Sequence, residues 1–139
     1  MSRSLDDLHP EVRKMYDAFA ASCAAEHIDI LVTCTWRSPA EQERLYAQGR
    51  TAPGKIVTNA RAGQSSHNFT INGKPASLAF DIVPLDGGKP IWAASNPVWQ
   101  QLGKLGQDAG LEWAGTWRRF REFPHFQHPQ AAAIRKEAT

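Results

Sequence analysis

The most constraining feature of this sequence is a single carboxylate inside an apolar run. Residues 78–83 read Leu-Ala-Phe-Asp-Ile-Val, and Asp81 is the charged member of that run. The apolar and partly β-branched composition is typical of a buried strand. Burying an unpaired carboxylate costs several kcal/mol, so Asp81 needs a hydrogen-bonding partner, an opposite charge or a cation. The fold must therefore bring such a partner to this strand.

The periodicities of the rest of the chain predict helices and strands in an irregular order. Apolar residues follow Pro10 every three or four positions, which indicates an amphipathic helix with proline in its first turn. A buried, β-branched strand is predicted at 28–35, and Ser38 with Glu41 is the pattern of a capping box that begins a second helix. A long polar loop follows over 50–66. Further predicted elements are strands at 69–71 and 79–83 joined through Asn72-Gly73, a helix opening at Pro97, short strands within 111–127 and a helix near 130–137. This order predicts an α+β fold, with a small antiparallel sheet flanked by helices.

Length and charge exclude several classes of protein. A chain of 139 residues is the size of one domain, so we expect a single domain over 1–139. Sixteen Lys and Arg against fourteen Asp and Glu leave a net charge of +2, too small to indicate nucleic-acid binding. No run approaches the ~18 apolar residues of a membrane span, and residues 1–15 lack the apolar core of a signal peptide. We expect cytoplasmic synthesis, no stable membrane insertion, and reduced core thiols at Cys23 and Cys34.

Histidine is the most informative residue type in this sequence, and a metal ion held with Asp81 is one economical partner for that carboxylate. His9 and His27 lie at the predicted ends of the first helix, where histidines are commonly solvated, and we set them aside. His67 ends the long polar loop, and a hairpin at Asn72-Gly73 would fold the chain back on itself. The residues that flank such a hairpin return to one another, so His67 is predicted to lie beside Asp81.

A second cluster, from Glu122 to His128, can complete a metal site. Catalytic zinc takes three protein ligands and keeps one open position, with a carboxylate nearby to accept a proton. His67, Asp81 and one histidine of this cluster would supply the ligands, and Glu122 would be the base. His125 and His128 point to opposite faces of an extended segment because their offset is odd, so one of them is expected to join. The alternative is a histidine-rich strand at the surface.

Arg37 is the remaining candidate for chemistry. It lies at the corner between the first predicted strand and the second helix, where a rigid scaffold can present a side chain to a cleft. Its guanidinium could bind a ligand carboxylate or a developing oxyanion through its fork of donors. The alternatives are structural ion pairs of Arg37 with Asp81 or Glu122, and of Asp81 with Lys74.

The candidate residues belong to a longer ordered pattern. In chain order, this pattern comprises Thr35-Trp36-Arg37-Ser38, Glu41-Gln42, residues 45–51, Ser65-Ser66-His67-Asn68-Phe69, Ala79-Phe80-Asp81, Gly110-Leu111-Glu112-Trp113, Trp117 and Glu122-Phe123-Pro124-His125-Phe126. The pattern resembles the VanY-like zinc peptidases over most of the chain, from about residue 30 to residue 127. That family contains D-alanyl-D-alanine carboxypeptidases and the L-alanyl-D-glutamate endopeptidases that serve as phage endolysins.

The resemblance implies a Zn²⁺ cofactor in a cleft on the sheet. The metal ligands that it implies are His67, Asp81 and His125, which decides between the two histidines of the second cluster. Glu122 would be the catalytic base, and Arg37 would orient substrate or stabilise the tetrahedral intermediate. The residues expected to contact substrate are Arg37, Ser65 and Trp113, and Trp117 is a further candidate for the cleft wall.

One departure from the family concerns the spacing of two ligands. Thirteen residues lie between His67 and Asp81, more than the family usually has, and residues 70–76 look like an insertion. A hairpin around Asn72-Gly73 can protrude without moving its base, so the two ligands are still expected to meet. Asp86 is the fallback ligand.

The resemblance implies a zinc-dependent peptidoglycan hydrolase. We expect an endolysin that cleaves the L-alanyl-D-glutamate bond of the stem peptide, acting as a monomer without a separate wall-binding domain. It would reach periplasmic peptidoglycan from the host cytoplasm through a holin, since no signal peptide is predicted. A D-alanyl-D-alanine carboxypeptidase is the first alternative, and a non-catalytic cell-wall-binding module is the second. The presence of Glu122 and Arg37 with all three ligands favours an enzyme.

Overall fold

A computed structural model describes residues 1–138 and confirms the predicted α+β organisation. Within that range the helices are α1 (Pro10–Ala25), α2 (Pro39–Ala47), α3 (Val98–Asp108) and α4 (Ala131–Glu137). The strands are β1 (Asp29–Cys34), β2 (Thr70–Ile71), β3 (Lys74–Pro75), β4 (Ala79–Asp86), β5 (Lys89–Pro90), β6 (Glu112–Trp113) and β7 (His125–Gln127). Short 3₁₀ helices lie at Leu5–Asp7, Ser66–Asn68 and Ala114–Thr116.

The main sheet is antiparallel and has β4 near its centre. Its strand order is β1-β4-β7-β6, and β5 pairs with the end of β4 after the turn at Gly87 and Gly88. The expectation that the first strand is buried needs a correction. Leu31 on β1 is 39% exposed, because β1 lies at the sheet edge and its side chains alternate between the helix layer and solvent.

The hydrophobic core lies between α1, α3 and one face of the sheet. Phe19 of α1 packs against Phe80 of β4 and Phe126 of β7, with ring centroids 6.0 and 5.0 Å away. Each ring is fully buried, and burial of one such side chain stabilises the fold by about 1.5–3 kcal/mol. Because Phe80 and Ile82 face the helices, the intervening Asp81 faces the opposite side of the sheet.

The start of α2 holds the strand-to-helix corner in place. Ser38 Oγ accepts a hydrogen bond from Glu41 N at 3.1 Å, and Glu41 Oε1 accepts one from Ser38 N at 3.0 Å. This is the capping box that the sequence predicts. Trp36 Nε1 donates to Phe69 O at 3.1 Å, which ties the corner to the segment after the long loop. Arg37 is therefore held at a fixed position.

The Asn72-Gly73 turn forms a hairpin, but its partner strand differs from the prediction. It joins β2 to β3, and both turn residues have positive φ, +53° and +76°, as a two-residue hairpin turn requires. The longer β4 instead pairs with β1 and β7. Ala76 N donates to Phe69 O at 3.0 Å and Leu78 N to Ser66 O at 2.9 Å. These bonds close the base, so the insertion protrudes as a small hairpin.

Two further expectations concern the thiols and the membrane. Cys23 and Cys34 are both free and buried, as predicted. Among residues 1–138, no helix has the length and apolar character needed to span a membrane.

Candidate active site

The pairing register of two strands places two candidate ligands face to face. Asp81 of β4 lies directly opposite His125 of β7, and their neighbours Phe80 and Phe126 are also register partners. Since side chains alternate along a strand, the two rings enter the core and the two polar side chains share the other face. His125 Nδ1 is 3.1 Å from Asp81 Oδ1. The sheet itself therefore positions this pair.

A short 3₁₀ turn brings in the third candidate. His67 lies in the turn Ser66–Asn68, which Ser65 caps by accepting a hydrogen bond from His67 N at 3.1 Å. The closed base of the hairpin holds this turn beside β4. His67 Nε2 is then 3.3 Å from Asp81 Oδ1 and 3.3 Å from His125 Nδ1. The structure brings the three sequence-predicted ligands together at one point.

Hydrogen bonds to the outer nitrogens orient both imidazoles. His67 Nδ1 lies 2.8 Å from Thr35 O and donates to it, so in the neutral imidazole the lone pair is on Nε2. His125 Nε2 lies 2.8 Å from Gln127 Oε1, and Gln127 Nε2 donates to Glu112 Oε2 at 3.0 Å. The nitrogens that face Asp81 are therefore acceptors, as metal-binding histidines require.

The donor set fits a tetrahedral cation. Ligand atoms of tetrahedral zinc lie roughly 3.3 Å apart, given zinc–nitrogen bonds of about 2.0–2.1 Å. The three pairs among His67 Nε2, Asp81 Oδ1 and His125 Nδ1 measure 3.1 to 3.3 Å. Cys34 also has its sulfur within 4.8 Å of ligand atoms of His67 and Asp81. Its Sγ is 3.6 Å from His67 Nδ1, the nitrogen that already donates to a carbonyl, so Cys34 lies behind the ring.

The buried carboxylate of Asp81 favours positive charge on the groups around it. Burial alone would raise the pKa of Asp81, but His67 and His125 outweigh it and hold that pKa well below its usual range. Burial alone would lower the pKa of His67, but the adjacent Asp81 carboxylate raises that pKa to about 10. The carboxylate of Asp81 therefore stays ionised and draws a cation or a proton to the two imidazoles.

Glu122 lies beside this cluster in the same cleft. Burial raises the pKa of Glu122, and the charges of His125, Asp81, His67 and Arg37 also act on it. A carboxylate with a raised pKa accepts and returns protons closer to neutral pH than an ordinary glutamate. The structure thus places the predicted base next to the predicted ligands.

Arg37 reaches the cluster from the α2 corner. Its Nη2 is 3.9 Å from Asp81 Oδ2, which makes a long ion pair, and Nη1 donates to Gln42 Oε1 at 2.9 Å. Within residues 1–138, Lys74 forms no ion pair with Asp81, because Lys74 lies on the protruding hairpin. The Arg37 side chain lines the cleft and its Nε has no partner in the described chain, so donor capacity remains for a ligand.

Two of the rejected or reserve candidates lie away from the cluster. His128 is buried and its Nε2 donates to Glu11 Oε1 at 3.2 Å, while its Nδ1 accepts from Gln130 N at 2.9 Å. It joins the C-terminal segment to α1, on the side opposite His125. Asp86 is exposed at the end of β4 and does not approach the cluster.

The position of Trp113 corrects the expectation that it contacts substrate. Trp113 is 3% exposed, its Nε1 donates to Phe123 O at 2.8 Å, and it does not line the cleft. Gly103 on α3 lets this ring pack closely, because a Cβ there would lie 2.2 Å from the ring. Trp117 does line the cleft, with its ring 5.5 Å from that of His125.

The cluster opens into a cleft of about 920 Å³ with an apolar rim. Val57, Trp92 and Phe120 line it and are 43%, 58% and 49% exposed. Ser65, the third residue predicted to contact substrate, lies on its wall. Exposed apolar residues grouped around a polar cluster are typical of a binding site.

The predicted long loop forms one wall of the cleft and is held by charged contacts. Arg61 Nη2 lies 3.1 Å from Glu43 Oε2, and the guanidinium groups of Arg50 and Arg61 lie 3.8 and 4.8 Å from the centre of the Tyr46 ring. Gln42 Nε2 also donates to Ala60 O at 2.8 Å. The loop is therefore tied to α2, next to Arg37.

Unpartnered donors are concentrated in this cleft. Within residues 1–138, the buried side-chain donors without a hydrogen-bond partner are Arg37 Nε, Trp99 Nε1 and Arg135 Nε, and all three residues line the cleft. Buried polar groups in native proteins are normally satisfied, so this concentration indicates a ligand that accepts hydrogen bonds. Gln127, Trp99 and Arg135 line the cleft and are not among the residues predicted from the sequence. The two-residue offset of Gln127 from His125 was a usable signal, whereas Trp99 and Arg135 follow no motif.

The fold is shared with solved peptidases. The structure matches that of Serratia marcescens L-Ala D-Glu endopeptidase ChiX with a TM-score of 0.66 at 20% identity, covering 95% of this chain and 90% of that one. It also matches the LdcB LD-carboxypeptidase with a TM-score of 0.66 at 15% identity, covering 94% and 64%. Both likenesses confirm the fold.

Sequence comparison defines the family. The chain is 38% identical over 127 residues to the peptidoglycan L-alanyl-D-glutamate endopeptidase CwlK of Bacillus subtilis, covering 87% of this chain and 73% of that protein. Residues 58–128 match a peptidase M15 family described as D-alanyl-D-alanine carboxypeptidase. The family model and the curated relative together define the class of this chain as a metallopeptidase. The chain belongs to peptidase family M15, which confirms the resemblance found in the sequence.

Proposed function

We propose that this protein is a zinc-dependent peptidoglycan hydrolase that cleaves the L-alanyl-D-glutamate bond of the stem peptide. The observation that carries the proposal is the convergence of His67, Asp81 and His125 within 3.1 to 3.3 Å of one another, beside Glu122. The choice of bond is supported by the similarity to the Bacillus subtilis endopeptidase.

The three converging side chains would hold the zinc ion. When bound, zinc supplies polarisation of a carbonyl and a lowered pKa of its water, to about 7. Thr35 O and Gln127 Oε1 keep the two imidazoles in the required tautomers.

Glu122 is the proposed proton carrier. Its carboxylate would accept a proton from the attacking water and return it to the leaving amine of D-glutamate. Burial raises the pKa of Glu122, which suits a group that must both accept and release a proton. Arg37 lines the cleft and its Nε has no partner among residues 1–138, so it would bind the developing oxyanion or a carboxylate next to the scissile bond.

The direct test is mass spectrometry of products released from purified Gram-negative sacculi. Zinc-loaded enzyme should release stem peptides that have lost L-alanine, and both chelation and Glu122→Gln should abolish release. Glu26→Gln is the matched control, because Glu26 is exposed at the end of α1 and should leave release unchanged. Loss of terminal D-alanine alone would replace the proposal with a carboxypeptidase. No product with zinc bound would replace it with a wall-binding module.

We also propose that the protein is lytic, as an endolysin is. This finer role is supported by the resemblance described above. Added to cells with a permeabilised outer membrane, the wild type should clear the suspension and Glu122→Gln should not. Release of peptides from sacculi without clearing of cells would refute the lytic role and leave the hydrolase proposal intact.

A further inference from the structure

Arg135 is a cleft residue that no motif predicts. It lies in the last turn of α4 and lines the same cleft as Arg37 and Glu122. Its Nη1 donates to Gln64 O, one residue before Ser65, which caps the turn that carries His67. Arg135 is therefore tied to the wall of the cleft on the His67 side.

The other edge of this guanidinium has no partner. Arg135 Nε is buried without a hydrogen bond, and Nη2 forms none within residues 1–138. Nε and Nη2 lie on the same edge of a guanidinium, with the spacing that matches the two oxygens of a carboxylate. The contact to Gln64 occupies Nη1, so Nε and Nη2 remain as a pair of donors on a residue that lines the cleft.

No carboxylate of the described chain neutralises Arg135. The surface arginines Arg13 and Arg61 both have acidic partners within 3.4 Å, whereas Arg135 has none among residues 1–138. Partial burial lowers the pKa of Arg135, which reflects the cost of holding this charge away from water. A cation that is ordered, partly desolvated and unpaired in a cleft is expected to serve an anionic ligand.

We infer that Arg135 is a specificity residue that binds a carboxylate of the stem peptide through its Nε and Nη2 donors. The inference rests on the proposed function for the identity of the substrate. The stem peptide offers more than one such group, on D-glutamate and on the residue that follows it. Both groups are carboxylates. Arg135 on α4 would bind one of them, and Arg37 just before α2 would act at the reacting carbonyl.

The test compares binding of soluble disaccharide-peptides by calorimetry, in a Glu122→Gln background that prevents turnover. The probes are the free acid, the D-glutamate α-carboxamide and the carboxamide of the following residue. Arg135→Met should weaken binding of the free acid about tenfold or more, since a charge-assisted bidentate contact is lost. Arg13→Met on the outer surface of α1 is the matched control and should bind as the parent does.

The pattern across the probes decides the inference. One of the two carboxamides should weaken binding to the parent as much as Arg135→Met does, and should bind equally to parent and variant. That carboxamide identifies the group bound. Equal affinity of parent and Arg135→Met for the free acid would overturn the inference, as would an equal loss for all three probes.

Two safeguards keep the outcomes separate. If Arg135→Met fails to fold, Arg135→Lys carries the test, because it keeps the charge and loses the paired donors; binding of the free acid should weaken several-fold. If the wild type cleaves sacculi and Arg135 has no effect, the proposed function stands and the inference fails. If sacculi are not cleaved but binding depends on Arg135 and one carboxylate, the inference about Arg135 stands and the proposed hydrolase function fails.

Discussion

Phe80 and Phe126 stack on the helix side of the sheet, with ring centroids 5.7 Å apart and planes 11° from parallel. They lie directly behind Asp81 and His125, which face each other on the opposite side. A slip of β7 by one residue in this pairing would turn Phe126 to the cleft and His125 into the core. The packing of the core therefore fixes the geometry of the site.

Gly103→Ala should destabilise the protein by about 1–3 kcal/mol, through overpacking. Alanine is the better helix former by about 1 kcal/mol, so helix propensity alone predicts the opposite sign. A Cβ at Gly103 would lie 2.2 Å from the buried Trp113 ring, which cannot move freely in the core. Denaturant unfolding measures the difference, and Gln101→Ala on the exposed face of α3 is the control. A stabilised Gly103→Ala variant would contradict the packing described.

Gln127→Leu should lower zinc affinity about 10- to 100-fold, although Gln127 is not a proposed ligand. Its Oε1 accepts from His125 Nε2 at 2.8 Å and so keeps the lone pair on Nδ1. Competition with a chromophoric chelator measures the affinity. Gln101→Leu, an exposed position on α3, is the matched control, and equal affinity of the two variants would show that the tautomer of His125 is set in another way.

Removal of metal should lower the melting temperature of the wild type, because a ligand bound to the native state adds to its stability. His125→Ala should lose this response to chelation, whereas Cys34→Ser should retain it. The two variants separate the His67, Asp81 and His125 set from a set containing Cys34. Thermal unfolding with and without chelator gives the readout, and the opposite pattern would assign the metal to the cysteine side of the His67 ring.

Glu43→Gln should loosen the loop that forms the cleft wall. The hydrogen bond from Arg61 holds the pKa of Glu43 below its usual value, so the ion pair is complete at neutral pH. A carboxylate with a lowered pKa keeps its stabilising effect above its usual pKa and loses it as the pH falls through the lowered value. Hydrogen exchange at Ala62, whose amide donates to Glu43 Oε1 at 2.8 Å, should show protection that fades only in acid. The variant should show weaker protection at pH 7, because an uncharged amide oxygen is a weaker acceptor and the ion pair with Arg61 is lost. Glu26→Gln should retain the protection.

Cys23 should resist alkylation at pH 8. Burial raises the pKa of the Cys23 thiol to about 11, so little reactive thiolate is present. Iodoacetamide labelling followed by peptide mass spectrometry should find Cys23 unmodified in the native protein and modified after denaturation. Rapid labelling of native Cys23 would show that α1 opens at this position.

Local signals in the sequence predicted much of the fold. The apolar stripe after Pro10 and the Ser38 capping box each depend on residues close in sequence, and both are confirmed. The pairing of β4 was assigned to the wrong strand, because the Asn72-Gly73 signal reports a turn and not the length of the strands beside it. Partners such as β1 and β7 are distant in sequence and are chosen by core packing.

The candidate site likewise contains residues that the sequence predicts and residues that depend on tertiary packing. The convergence of His67, Asp81 and His125 follows from residue chemistry and the family resemblance, since a buried carboxylate needs a partner. The packing of Trp113 against Gly103 could not be predicted, because it depends on the approach of α3 to the sheet. Arg135 was missed because a lone arginine in a weak helix resembles any solvated one until the cleft is seen.

The closed base of the β2–β3 hairpin makes the distance along the chain between two ligands irrelevant to their distance in space. The bonds from Ala76 N to Phe69 O and from Leu78 N to Ser66 O hold His67 beside Asp81 whatever lies beyond them. A search for relatives that demands a fixed interval between histidine and aspartate would pass over this chain. Evolution can lengthen or replace this hairpin freely, and a protein engineer can use it to carry a tag or a graft.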